Sequence, residues 1–179
     1  MHRLFFAVRP PPDVAAGIDR VAAGARHSGL LRGHWLRPEK YHVTVHFLGS
    51  FAFVPEDLLE RAKSAADALR LRAFDVVLDR LASFPGRRQS PCILLCAAAA
   101  DAALQDMWRT LRDACDSVGA TAPAQERYVP HLTIAYANRA LPEAIPVEPV
   151  HWRAQELLLL HSDVGNAAHK PLASWALED

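Results

Sequence analysis

Two four-residue segments of this 179-residue chain repeat one pattern: His42-Val43-Thr44-Val45 and His131-Leu132-Thr133-Ile134. Nine histidines are spread over the chain, and threonine stands only at 44, 110, 121 and 133. Chance then predicts roughly 0.05 His-apolar-Thr-apolar tetrads, so two copies are a signal. On a β-strand, residues i and i+2 share a face. Each segment therefore sets an imidazole beside a hydroxyl, while Val43, Val45, Leu132 and Ile134 bury the other face. If a pseudo-twofold relates the two halves, two histidines and two threonines meet across one cleft. That quartet suits phosphodiester chemistry. A neutral imidazole can take a proton from water or a hydroxyl, and a protonated one can give a proton to the departing oxygen. Imidazole can do both near neutral pH. The threonine hydroxyls can donate to non-bridging phosphate oxygens and hold the phosphorus in line. No metal and no cofactor is required. His46 stands four residues after His42. That spacing would chelate on a helix, but on a strand it spans about 13 Å, too far for one ion. His46 is expected on the motif face as a neighbour of the site.

The elements around these segments follow from periodicity. Leu4–Val8 reads as a buried strand, stopped by Pro10-Pro11-Pro12. A helix capped by Asp13 runs to about His27, with Val14, Ile18, Val21 and Ala25 on one stripe. His34–Leu36 is a brief strand, and Tyr41–Leu48 a strong one. Pro55 opens a second helix to about Leu69. Ala73–Phe84 and Cys92–Ala98 are strands around a turn at 85–91 that holds Arg87 and Arg88. Asp101 is expected to cap a third helix reaching Val118, followed by an irregular link over 121–129. His131–Ala137 is the second strong strand, and Pro142–Pro149 reads as a proline-rich linker. Trp152–His161 reads as one further strand, with Pro171–Leu177 closing the sheet. Strands and helices mix without the βαβα rhythm of a doubly wound fold. The expected class is α+β, with largely antiparallel sheets.

Composition narrows the function classes. Lys+Arg is 20 and Asp+Glu is 20, so the formal charge is zero. A nucleic-acid partner must be held by a local site, not by a broad positive surface. The odd count of three cysteines argues against a disulfide framework, and all three are expected reduced and buried. The apolar run at the start has five residues, too short for a signal-peptide core or a membrane span. The chain reads as cytoplasmic and soluble, a monomer that uses no membrane. No GxxxxGK loop or KxDG motif points to a nucleoside triphosphate.

The chain resembles the 2H phosphoesterase superfamily, in particular the RNA 2′,3′-cyclic phosphodiesterases, also called 2′-5′ RNA ligases. The residues that carry the resemblance are Arg3-Leu4-Phe5-Phe6-Ala7, Trp35 to Gly49, Tyr128-Val129-Pro130-His131-Leu132-Thr133-Ile134, and Glu156 to Ser162. It implies one domain over 1–179, built of two pseudo-symmetric, interleaved lobes. Antiparallel sheets would flank a central cleft, with helices on the outer faces. It also implies hydrolysis of a 2′,3′-cyclic phosphate, at an RNA end or on a small nucleotide, to a 2′-phosphomonoester. Ligation to a 5′-hydroxyl would be the chemical reverse. His42 would then give a proton to the leaving 3′ oxygen and His131 would take one from water; symmetry alone does not assign these roles. Thr44 and Thr133 would bind the phosphate, and Tyr128 and Trp35, close to the motifs, are candidates to line the cleft. Phe84 could stack on a base or sit in the core or rim. Two departures stand out: Tyr136 where many relatives have arginine, and His169 where a tyrosine is common. The first favours the alternative, a module that binds a nucleotide or RNA end in the same cleft without turnover.

Overall fold

The computed structural model describes residues 1–86, 88–120, 127–163 and 168–179. In chain order the elements are β1 (His2–Val8), α1 (Pro12–His27), β2 (Gly33–Trp35), β3 (Val43–Phe51), α2 (Glu56–Asp67), β4 (Phe74–Ser83), β5 (Ser90–Cys96), α3 (Ala98–Ser117), β6 (His131–Ala137), β7 (Ile145–Ala154), β8 (Glu156–Asp163) and β9 (Lys170–Ala176). Every pairing between these strands is antiparallel. The order is β7-β4-β5-β6-β3-β1-β8-β9, with β2 beside β6. The class is α+β, as the sequence implies.

The sheet has a seam. Four strands, β7-β4-β5-β6, make one half, and β3-β1-β8-β9 make the other. Between β6 and β3 the registered pair is Val43 with Leu132. Each motif strand is therefore the inner edge of its own half, and the two inner edges touch at the centre of the motifs. One face of both halves carries the main core, which takes Ile18 from α1, Ala62 from α2 and Leu111 from α3. The other face carries no helix from this core. It holds a smaller apolar cluster of Phe5, Ala7, Leu158 and Leu160, with Phe47 against it.

Several expectations shift. Both helices expected to start at an aspartate begin earlier. In α1, Pro12 takes the first helical position, where its missing N–H costs nothing and its φ is preset. Asp13 falls inside the first turn and makes no cap. In α3 the helix starts at Ala98, because alanine is the strongest helix former, and Asp101 again lies in the first turn. The expected proline-rich linker is largely strand β7. That strand pairs only with β4 and lies at the sheet edge, where Pro146 and Pro149 can leave one side without donors. The single strand expected over Trp152–His161 is two, parted at Gln155, and β7 and β8 belong to opposite halves. Residue 87 of the expected turn and residues 121–126 of the expected link lie outside the described residues. Cys92, Cys96 and Cys115 are buried and unbonded, as expected, and burial pushes each thiol up to about 11 or 12.

Candidate active site

The two motifs share a backbone irregularity as well as a sequence. Along β1 and β3, Ala7 lies opposite Thr44 and Phe6 opposite His46, which leaves Val45 as the extra residue of a bulge. Along β5 and β6, Ile93 lies opposite Thr133 and Cys92 opposite Ala135, which leaves Ile134 extra. Each motif thus ends on a bulge at its fourth residue. A bulge slips the in–out alternation by one residue. His46 and Ala135 therefore turn to the helix-covered face, and Phe47 and Tyr136 return to the motif face. His46 is 3% exposed and senses Asp116 and Arg112 of α3. The sequence expectation that it neighbours the site is corrected by the bulge.

The pair Val43–Leu132 sets the geometry of the quartet. Carried one residue either way, the antiparallel register sets Thr44 across from His131 and Thr133 across from His42. All four point away from the core that buries Val43 and Leu132. Each histidine is held in the same way. The Nδ1–H of His42 donates to the Lys40 carbonyl at 2.7 Å, and that of His131 to the Val129 carbonyl at 2.6 Å. A carbonyl can only accept, so Nδ1 carries the proton and the lone pair of the neutral ring is at Nε2. Phe5 stacks on His42 at 5.0 Å, and Phe84 meets His131 edge-on at 4.8 Å.

Burial dominates the electrostatics. It lowers the His42 pKa to about 3, against the pull of the Lys40 carbonyl, and the charges of His169, Arg9 and His131 lower it further. His131 is lowered too, again by burial, with the Val129 bond opposing. Burial therefore favours the neutral form of both imidazoles in the free protein. An anion placed between them would favour the charged form and raise the pKa.

Of the residues singled out from sequence, the structure brings His42, Thr44, His131 and Thr133 together. Tyr128 is 5% exposed; it stacks on Trp108 at 5.4 Å and donates its hydroxyl to the Thr44 carbonyl at 2.9 Å. It braces the motif strand from behind and does not line the cleft. Trp35 pairs with Ala135 and packs on the main core, so it faces away from the quartet. Its neighbour His34, opposite Tyr136, takes the motif face. Gly33 lets β2 come this close, because a Cβ there would collide with the Tyr136 carbonyl. Two further residues at the site carry little sequence signal. The His169 ring meets His42 edge-on at 4.9 Å, and its carbonyl accepts from Arg9 Nη2 at 2.9 Å. Burial, then Lys40, Arg9 and Arg3, lower His169 to about 4. Only the departure from a common tyrosine marks His169, and nothing marks Arg9.

The seam is thus flanked by two His-x-Thr-x strands, each with its ring pinned through Nδ1. The chain belongs to the 2′-5′ RNA ligase superfamily, whose family model matches residues 10–166. A curated relative, the RNA 2′,3′-cyclic phosphodiesterase of Geobacillus stearothermophilus, is 31% identical over 132 residues. The match covers 73% of this chain and 40% of that protein, so the matched stretch spans less than half the relative's length. Among solved structures, E. coli LigT complexed with 3′-AMP superposes with a TM-score of 0.80 at 22% identity, covering 99% of each chain. TT0787 of Thermus thermophilus gives 0.76 at 21% identity, covering 98% of this chain and 97% of that one. At these identities the solved structures establish the fold. Among the described residues, no helix is long and apolar enough to cross a membrane. Among them, too, no group of three His, Cys, Asp or Glu side chains is placed to hold a metal ion.

Proposed function

We propose that this protein opens 2′,3′-cyclic phosphates, at RNA ends or on small nucleotides, to 2′-phosphomonoesters by metal-independent acid–base catalysis. The observation that carries the reading is the matched pair of imidazoles, each pinned through Nδ1 to the carbonyl two residues back, on either side of Val43–Leu132. Nε2 of His131 takes a proton from water as the water oxygen bonds to phosphorus. Nε2–H of His42 gives its proton to the 3′ oxygen as the P–O3′ bond breaks. The Thr44 and Thr133 hydroxyls donate to the non-bridging oxygens. The assignment of acid and base follows the family resemblance. Binding the anionic substrate works toward the acid role, because it raises the low pKa of His42 and favours the protonated ring. A ribose 5′-hydroxyl in place of water gives 2′-5′ ligation. Zero net charge and a local site favour short substrates over long RNA. The name of the Geobacillus relative supports the substrate class.

A second reading, a cleft that binds without turnover, draws on Tyr136 standing on the motif face where many relatives have arginine. Turnover of the four 2′,3′-cyclic mononucleotides in EDTA separates the two. Release of the 2′-phosphate, identified by 31P NMR, supports the enzyme. Binding without release supports the module.

A further inference from the structure

A cavity of about 630 Å³ lies outside the histidine pair, and neither His42 nor His131 lines it. Its wall comes from β8, β9 and the segment after β1, with Arg153 from β7. Arg9, Glu156, Leu158, Pro171 and Ser174 are among the residues that line it. Its size falls within the ~300–1,000 Å³ usual for small-molecule sites. Two residues join it to the quartet. Leu158 belongs both to the cavity wall and to the apolar cluster that carries Phe5, the ring stacked on His42. Arg9 lines the cavity, donates one Nη2 bond to the His169 carbonyl, and contributes a charge that His42 senses.

Arg9 is also underused. Its Nε is buried without a hydrogen-bond partner among the described residues. Pairing of Ala7 with Leu158, carried two residues on, sets Arg9 across from Glu156, whose charge it senses, although no direct ion pair between them forms among the described residues. The other cation of the wall, Arg153, is engaged by Asp179 at 3.3 Å and Asp75 at 3.9 Å. The cavity thus offers one guanidinium with spare donors, apolar walls, and the polar groups of Glu156, Gln155 and Ser174. An arginine with open donors suits a phosphate.

We infer that this cavity is a second nucleotide subsite, which takes the residue on the 5′ side of the terminal cyclic-phosphate nucleotide. The inference rests on the catalytic reading for its polarity. If His42 protonates the 3′ oxygen, the terminal ribose lies on the His42 side, and the chain continues from its 5′ oxygen toward Arg9. Arg9 takes the intervening phosphodiester. The apolar walls take the next nucleoside, whose polar edges meet Glu156, Gln155 and Ser174.

The test compares a 2′,3′-cyclic mononucleotide with a dinucleotide ending in the same group, by kcat/KM and by calorimetric binding of the two 2′-phosphate products. Ser174 lies on β9, off the two motif strands, so Ser174→Trp fills the cavity without touching the quartet. The expected result is a preference for the dinucleotide of about tenfold or more, equivalent to about 1.4 kcal/mol, abolished in Ser174→Trp with mononucleotide turnover unchanged. Glu156→Gln, which removes the charge opposing a phosphate, should widen the preference, and it serves if Ser174→Trp fails to fold. A wild type with no preference, or a preference that neither variant moves, overturns the subsite while leaving the catalytic reading intact. An equal loss for both substrates in Ser174→Trp would put the terminal nucleoside itself in the cavity and also overturn it. Dinucleotide binding that Ser174→Trp weakens, without turnover of either substrate, would uphold the subsite and remove the catalytic reading.

Discussion

The hydroxyl of Tyr128 donates to the carbonyl of Thr44 across the seam of the sheet, at 2.9 Å. Tyr128 precedes one motif by three residues, and Thr44 lies inside the other. The bond therefore ties the approach to one histidine to the backbone of the strand that carries the second. Such a bond contributes about 1 kcal/mol. Tyr128→Phe keeps the stack on Trp108 and removes only this link. It should lower unfolding free energy by about 0.5–1.5 kcal/mol in denaturant titration. Activity should fall severalfold through kcat, because the strands lose alignment while the phosphate-binding groups remain. An unchanged kcat would mean that the seam does not depend on Tyr128.

His46 supplies a prediction about acid. Its ring is buried, neither nitrogen has a hydrogen-bond partner among the described residues, and burial lowers its pKa to about 4. A folded-state pKa below the unfolded value means that the unfolded chain binds more protons in acid. Stability is then complete above about pH 6.5, the unfolded value, and is lost as the pH falls toward 4. The loss from His46 alone is on the order of a few kcal/mol at the lower end. The equivalent position in the other motif strand is Ala135, which is apolar. His46→Leu should therefore flatten the fall in stability between pH 6.5 and 4, measured by denaturant unfolding at several pH values. A slope as steep as that of the wild type would place the acid sensitivity elsewhere, with His42 and His169 as the next candidates.

Proton uptake on anion binding is the corresponding prediction at the site. His42 is neutral in the free protein because burial holds its pKa low. Inorganic phosphate or a 2′-phosphate product should raise that pKa by a unit or more, about 1.4 kcal/mol of coupling. NMR titration of the imidazole resonances, with and without phosphate, reads this directly. An unmoved His42 would mean that the anion does not sit against its Nε2.

The threonines are tested by removing only their hydroxyls. Thr44→Val and Thr133→Val keep the strand shape and should each cost about 1–3 kcal/mol in kcat/KM, through lost donors to the phosphate. An effect on thermal stability alone would assign them to the strand and not to the substrate.

The quartet is legible in the sequence because its geometry is local. Period-two alternation needs no knowledge of neighbours, so His42 with Thr44 and His131 with Thr133 fall on shared faces from the sequence alone. The bulges at Val45 and Ile134 are not legible, since an extra residue exists only relative to a partner strand. That is why alternation alone puts His46 on the wrong face. Nearness in sequence recommends Trp35 and Tyr128 for the cleft, whereas face and burial decide their roles. Arg9 and His169 stand 160 positions apart, so no local pattern in the sequence links them. Gln155 separates two strands that hydropathy runs together, and only the sheet order shows that they belong to different halves.

The most direct test of the two-histidine account is kcat/KM for a 2′,3′-cyclic mononucleotide in EDTA, for wild type, His42→Ala, His131→Ala and the double variant. Groups that act in one proton-transfer step are strongly non-additive. The account predicts that each single variant loses at least about 10²-fold, and that the double variant is little worse than either single one. Retention of near wild-type turnover in either single variant, with the fold intact, would contradict it.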